Sequence, residues 1–186
     1  SIFFNVDKDY LSAIIETKGI NNPTVKAKLN ASMDLEKLDQ ALGLPNIDLK
    51  GKCDVQLTAN GLYANGPNPS SIRHELTTLS IPSYNLNADV KDGYLKYAAL
   101  PQSITGINFN VKSSCADSDY KNIGFSINNF SAIALKNFIK GNASVSSLKD
   151  MLVDADVHAN VNLAEIKTVY PLDGLVLNGL LKIDAT

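Results

Sequence analysis

The sequence is poor in arginine: sixteen of its seventeen basic residues are lysine, and Arg73 is the exception. Bidentate recognition of phosphates and base edges leans on arginine, and a net charge of −2 gives no general attraction for a polyanion. Both features argue against nucleic-acid binding. No apolar run reaches about 18 residues, so we expect no transmembrane helix.

The sequence also lacks a signal peptide. It opens on Ser1, and both of its ends have the alternating pattern of strands. We therefore expect an excised piece of a longer protein whose targeting segment has been removed.

There are only two cysteines. In strand register Cys53 and Cys115 both fall among aliphatic residues, which indicates small, buried side chains. A disulfide is the alternative if their two strands are neighbours.

There are only two histidines, and neither has the neighbours that catalysis or metal binding needs. His158 shares a polar strand face with Asp154 and Asp156, which is typical of a solvated surface, and His74 follows a proline-rich loop. The sequence shows no metal-ligand spacing, nucleophile elbow or glycine-rich phosphate loop. We therefore predict a protein that is not an enzyme and uses neither a metal nor a cofactor.

The dominant feature is a stretch that occurs twice. VKAKLNASMDLEKL begins at Val25, VDADVHANVNLAEI begins at Val153, and the segments around Gly51 and Gly179 align with the same offset. Each copy has an alternating strand, a short helix with one apolar face, a proline, and a second alternating strand with a glycine inside it. Such a unit buries its apolar face by stacking on neighbours.

The predicted organisation is one β-rich segment, 1–186, with a mainly β fold and a few short helices. The two repeat copies are placed at 25–61 and 153–186, with central hairpins at 84–130 between them. In the first copy, the helix Leu35–Leu42 is expected to be capped by Asp34 and Gly43.

Outside the copies, several shorter elements are predicted. The spacing of apolar residues in Asp9–Ile15 favours a short helix, and 61–71 is rich in turn formers. Residues 72–79 fit either a strand or a short helix. Asp92-Gly93 favours a two-residue hairpin turn. Gly51 favours a bulge or bend in its strand.

The repeated passage resembles the repeated element of the AsmA-like family of the Gram-negative envelope (the AsmA/TamB type). In VKAKLNASMDLEKLDQALGLPNIDLKGKCDVQLTANG the shared pattern is a strand, a helix of the type D-L-x-x-L, a proline and a strand with K/N-G. Residues 89–97, followed by Leu100-Pro101, resemble the V-x-D-G-x-F-x-Y-x-x-L-P motif that lies between copies. The resemblance runs from about Val25 to the C-terminus.

The resemblance implies a curved antiparallel sheet that forms an open, taco-like groove lined with aliphatic side chains. It also implies a periplasmic protein anchored in the inner membrane by a helix outside this segment. Such proteins are linked to outer-membrane lipid homeostasis and assembly, and are thought to move phospholipids between membranes. The partners it implies are the acyl chains of phospholipids.

We therefore expect this segment to bind or conduct acyl chains without catalysis. The residues expected to line the groove are Leu29, Ala31, Leu49, Val55, Leu86, Val90, Leu95, Phe109, Val111, Phe125, Ile127, Val157, Val161, Leu177 and Ile183. A closed β-sandwich that acts as a scaffold or adhesion module is the first alternative. An envelope hydrolase with a scattered site, using His74 and His158, is the second. Exposed strand edges would allow self-association.

Overall fold

The structure is a computed structural model, and it describes residues 1–6, 8–68, 75–165 and 177–185. The strands are β1 (Ile2–Val6), β2 (Asp9–Lys18), β3 (Thr24–Asp34), β4 (Ile47–Leu62), β5 (Ala64–Pro67), β6 (Leu76–Ser80), β7 (Ser83–Tyr97), β8 (Ile104–Cys115), β9 (Gly124–Ala134), β10 (Asn137–Val145), β11 (Val153–Asn162) and β12 (Leu180–Ala185).

Ten of these strands form one antiparallel sheet in the order β1-β2-β3-β4-β7-β8-β9-β10-β11-β12. Each strand pairs with its neighbour along the chain, except that the two-stranded sheet of β5 and β6 is inserted between β4 and β7. The sheet does not close on itself. The prediction of a mainly β, antiparallel fold is confirmed.

The helix α1 (Leu35–Leu42) follows β3 as predicted. The Asp34 carboxylate accepts a hydrogen bond from the Glu36 amide, and Gly43 ends the helix in the left-handed conformation with φ 58°. Both signals lie next to the helix in the sequence, so this prediction is confirmed at both ends.

The predicted helix at Asp9–Ile15 is wrong, because this segment belongs to β2. Leu11 pairs with Ala31 of β3, and Ile15 pairs with Ala27. Pairing with β1 on one side and β3 on the other satisfies the backbone groups that a short helix would have left partly unpaired.

The predicted hairpin turn at Asp92-Gly93 is also wrong, because β7 runs through it without reversing. The dipeptide forms a bulge, in which Asp92 has φ 52° and its amide donates to Asn108 Oδ1 at 2.9 Å. Opposite it, the register of β4 shifts at Gly51, as that glycine indicated. The first central hairpin instead turns at 98–103, whereas the second turns at 116–123, where turn residues between two alternating strands predict it.

The predicted loop at 61–71 is wrong over most of its described part. β4 continues to Leu62, and Ala64–Pro67 is a strand that pairs with Leu76–Ser80. Residues 69–74, which include His74, lie outside the described residues.

The strands β1–β4 pair with one another in the same register as the strands β9–β12. Leu11 pairs with Ala31 and Ala31 with Val55. In the same way, 128 residues later, Ile139 pairs with Ala159 and Ala159 with Ile183. In the later group only 163–165 of the predicted helix is described, so Ile166, Val169 and Pro171 lie outside the described residues.

Over residues 1–68 and 75–185, leaving aside 7 and 166–176, the strands form two sheets, the ten-stranded one and the small β5–β6 pair. The strands of the described chain are thus not divided between two large sheets, as they are in the sandwich given above as the first alternative.

Candidate functional site

One row of paired positions across eight strands carries only aliphatic side chains. Residues paired in antiparallel strands project to the same face, so the row is a continuous stripe of surface. From β2 to β11 it consists of Leu11, Ala31, Val55, Ala88, Val111, Ile127, Ala143 and Ala155. At about 4.8 Å per strand, the stripe is roughly 34 Å long. We call it the central row.

Bulkier side chains flank the central row. On one side, the paired positions are Ala13, Leu29, Leu57, Leu86, Ser113, Phe125, Val145 and Val153. On the other side, β3, β4, β7 and β8 contribute Met33, Cys53, Val90 and Phe109. Four of the eight central-row residues are alanine, whereas the flanks carry mostly larger side chains.

Bulges keep the apolar residues on this face. Val90 and Leu95 are five positions apart and would project to opposite faces in a regular strand. The extra residue at Asp92–Gly93 restores the alternation, so Leu95 pairs with Leu49 while Val90 pairs with Cys53. Register shifts in β8 and β9 have the same effect further along the sheet.

The registers place fourteen of the fifteen residues expected to line a groove on this apolar face. Four lie in the central row and five in its flanks, while Leu49 pairs with Leu95 near one end. In the last strands, Val157 pairs with Gly141, Val161 with Leu181, and Ile183 with Ala159. Leu177 lies outside the strands and is half-buried.

The apolar face is only partly shielded from solvent. Three small residues of this face, Ala31, Cys115 and Ala159, are buried, whereas Phe125 is 42% exposed and Ile139 40% exposed. Side chains of this size in a closed core would be almost fully covered. The face therefore offers apolar surface that a ligand can cover.

Behind the central row, the opposite face of the sheet is polar. The row there consists of Ser12, Asn30, Gln56, Asn87, Lys112, Ser126, Ser144 and Asp154. Lys91 forms an ion pair with Asp89 at 2.7 Å on this side, and the hydrogen bond to Asp89 raises the pKa of Lys91. Along this row the sheet thus carries aliphatic side chains on one face and polar side chains on the other, although Ile14 and Phe138 also lie on the polar face.

Depressions in the described surface involve few of the predicted groove residues. The largest, about 770 Å³, is lined chiefly by polar-face residues such as Lys28, Thr58 and Asn85, and by none of the fifteen. Leu86 and Phe125 border one of about 530 Å³, and Val161 borders one of about 160 Å³. The described apolar face is thus an open surface and not a deep pocket.

Both cysteines are free thiols. Burial raises the pKa of the Cys115 thiol, and burial is also the main cause of the raised pKa of Cys53, with Asp54 and Asp89 adding to it. β7 separates the strands of the two cysteines, so they are not neighbours. The interpretation as small apolar side chains is confirmed for Cys115, which is buried, while Cys53 is half-buried.

His158 lies on the polar face between two carboxylates. Its Nδ1 is 2.7 Å from Asp184 Oδ1, and its Nε2 is 3.1 Å from Asp156 Oδ1. Among the described residues, no group of three or more His, Cys, Asp and Glu side chains could hold a metal ion. Within those same ranges, no helix combines the length and apolar content of a bilayer span.

Comparisons of the chain with protein-family models, with curated proteins and with solved structures give no match.

Proposed function

We propose that the apolar face binds the acyl chains of lipids, with the hydrocarbon lying along the central row and across the strands. The observation that carries this proposal is the continuous row of aliphatic side chains on one face of the sheet, beside which Phe125 is 42% exposed. Large contiguous apolar patches commonly mark binding surfaces.

The stripe suits hydrocarbon better than a polar ligand. Its pairs, such as Val55 with Ala88 and Val111 with Ile127, offer no hydrogen-bonding side chain. An acyl chain needs none, because its binding comes from removing methylenes from water. Lysines of the polar face, such as Lys112, project away from the stripe.

In the same proposal, the sheet curves into a groove built from repeated strand–helix–strand units. The repeat is supported by residues 128 positions apart that have equivalent strand partners. Leu11 pairs with Ala31, and Ile139 pairs with Ala159. The resemblance to AsmA-like proteins supports a non-catalytic, periplasmic segment of an inner-membrane-anchored protein that serves outer-membrane lipid homeostasis.

The strength of binding distinguishes an open face from a groove that surrounds its ligand. Full burial stabilises by about 0.8 kcal/mol per methylene, so ten enclosed methylenes give about 8 kcal/mol, or a Kd near 1 μM. An open face that covers half of each methylene gives about 4 kcal/mol and a Kd near 1 mM. The two free energies are upper limits and the two Kd values are lower limits, because the entropy lost when the acyl chain is ordered opposes binding.

The test is a titration of delipidated protein with a fluorescent fatty acid, together with a native mass measurement of the gently purified protein. Val111→Asp places a carboxylate in the centre of the stripe and is expected to weaken binding at least tenfold. Ser114→Asp is the matched control, since it adds the same charge at an exposed position on the polar face of the same strand. Equal affinity of the two variants, or no fatty-acid binding by the unmodified chain, would refute the proposal.

A further inference from the structure

Two adjoining depressions cross the polar face of the large sheet. The larger, about 770 Å³, lies over β2, β3, β4, β7 and β8. The second, about 530 Å³, continues over β7 to β10 and is lined chiefly by polar-face residues such as Asn87, Lys112 and Ser126. Asn85 and Ser114 line both depressions, so the two are contiguous. At about 4.8 Å per strand they extend across roughly 29 Å of the sheet. We call the joined depressions the polar trough.

Polar side chains in the trough are available to a ligand. One row of paired positions crosses the larger depression and consists of Lys28, Thr58, Asn85 and Ser114. All four residues are exposed. Within the described ranges, none of these four side chains makes a hydrogen bond or an ion pair. The row therefore offers an ammonium group, two hydroxyls and a carboxamide to a ligand that carries hydroxyl and acidic groups.

The charge of the trough is opposite in sign to that of the chain. The trough is lined by three lysines and one glutamate, namely Lys26, Lys28, Lys112 and Glu16. Their net charge is +2, whereas the whole chain carries −2. The positions 128 residues after Lys26 and Lys28 carry Asp154 and Asp156, so the second unit has the opposite charge there. The trough thus favours a negatively charged ligand.

The spacing of the lysines favours an extended ligand. Lys28 in β3 and Lys112 in β8 are three strand spacings apart, which is roughly 14 Å. A ligand that meets both therefore carries acidic groups at more than one point along its length. Lysine interacts with each such group as a point charge and does not need the bidentate geometry that arginine provides.

An apolar side chain adds a third requirement. Ile14 pairs with Lys28 in the same row and is 43% exposed. A sugar ring has C–H groups on its faces and hydroxyls around its rim, so it can cover Ile14 while its hydroxyls bond to Thr58 and Asn85. An acidic sugar chain combines this apolar surface with hydroxyls and repeated negative charge.

We propose that the polar trough binds a linear oligosaccharide that carries carboxylate groups. Lys28 and Lys112 pair with its carboxylates, Thr58 and Asn85 form hydrogen bonds with ring hydroxyls, and Ile14 contacts the C–H face of a ring. The trough lies on the face opposite the central row. Its ligand is therefore independent of acyl-chain binding.

The probe is a fluorescently labelled hexamer of galacturonic acid, titrated into the chain and followed by anisotropy in 10 mM salt, where the Debye length is about 30 Å. The methyl ester of the same hexamer is the matched ligand, because it keeps the sugar rings and loses the charges. A hexamer of glutamate keeps the charges and loses the rings. We expect one galacturonate hexamer to bind per chain, and each of the other two ligands to bind at least tenfold more weakly.

Changes on the protein test the same contacts. Lys28→Gln and Lys112→Gln are each expected to weaken binding of the acidic hexamer about threefold. Lys52→Gln is the matched control, since Lys52 is exposed on the polar face of β4 and lines neither depression. Its affinity should equal that of the unmodified chain, with circular dichroism used to check that all variants keep the sheet. No binding of the acidic hexamer, equal binding of its ester or of the glutamate hexamer, or equal losses for Lys28→Gln and Lys52→Gln would overturn the proposal.

Discussion

In both the unit β1–β4 and the unit β9–β12, a side-chain oxygen accepts a hydrogen bond from the backbone amide of the residue just before the helical segment. The residue that provides this oxygen differs between the two units. Asp9 Oδ1 accepts from the Asp34 amide at 3.1 Å, and 128 residues later Asn137 Oδ1 accepts from the Asn162 amide at 2.6 Å. One acceptor is a carboxylate and the other a carboxamide. The comparison teaches that the position of an acceptor oxygen, and not its charge, is common to the two units.

The two units differ at their last strand. Gly51 in β4 is pressed against the bulge of β7, whereas Gly179, next to β12, has no such neighbour among the described residues. The same backbone conformation is thus found with and without the contact.

Substituting the two glycines by valine separates the contact from the backbone conformation. At Gly51 the side chain would overlap the β7 backbone in addition to straining a positive φ, so we expect Gly51→Val to lower the free energy of unfolding by roughly 3–4 kcal/mol. Gly179→Val has the conformational cost alone, about 1–2 kcal/mol. Urea unfolding measures both. Equal losses would mean that the approach of β7 contributes nothing.

That contrast also marks what the sequence could predict. The caps of α1, Asp34 and Gly43, adjoin the helix, so local chemistry suffices to place it. The dipeptide Asp92-Gly93 suits both a tight turn and a bulge. The choice between them depends on Gly51 and Asn108, which lie in other strands. Local patterns therefore predicted the helix correctly and the hairpin wrongly.

The candidate face shows the same limit. Alternation places residues such as Leu29 and Val55 on one face from the sequence alone. Whether that face is covered depends on the number of layers, for which no local signal exists. The segment Asp9–Lys18 was missed for a similar reason, since Leu11 and Ile14 fit a helix until β1 and β3 pair with it.

The second prediction concerns the acceptors that hold the helical segments. Asn137 is 7% exposed, and its side-chain Nδ2 also donates to the Ala134 carbonyl at 3.1 Å and to Glu165 Oε2 at 3.0 Å. Asn137→Ala leaves buried groups unpaired and is expected to cost about 2–3 kcal/mol. Asp9→Ala removes one amide acceptor and a 3.7 Å ion pair with Lys37, and is expected to cost about 1 kcal/mol.

The matched variant is Asn137→Asp, which keeps the acceptor and loses the donors. Because it also sets a buried carboxylate beside Glu165 Oε2, chemical denaturation at pH 7 should show it to be no more stable than Asn137→Ala. If Asn137→Asp is as stable as the unmodified chain, the acceptor alone matters and the two units are closer in chemistry than their residues indicate.

The third prediction compares the two N-caps. Asp34 accepts from the Glu36 amide at 3.0 Å, and Asn162 accepts from the Ala164 amide at 3.1 Å. Replacing either residue by alanine is expected to lower the free energy of unfolding by about 1 kcal/mol, while serine at either position keeps the cap and most of the stability. Thermal melts of the four variants provide the measurement. A much larger loss of stability at one position would show that its side chain makes stabilising contacts other than the N-cap hydrogen bond.

The smallest expected effect comes from an ion pair that only the first unit has. Lys50 Nζ lies 3.0 Å from Glu36 Oε1, whereas the equivalent positions carry Asn178 and Ala164. The hydrogen bond to Glu36 raises the pKa of Lys50 above 10.5. A raised pKa means that the folded chain holds this proton more tightly, so the stabilisation is fully present below pH 10.5 and is lost as the pH rises through the raised value.

Glu36→Gln should therefore lower the urea midpoint slightly at pH 7, and the difference from the unmodified chain should vanish in strongly alkaline solution. It should also shrink in 1 M salt, where the Debye length falls to about 3 Å. The reverse transfer, Ala164→Glu with Asn178→Lys, is expected to give a similar small gain in the second unit. A difference at pH 7 that salt and alkali leave unchanged would mean that Glu36 acts through packing, and that the two units differ by more than this pair.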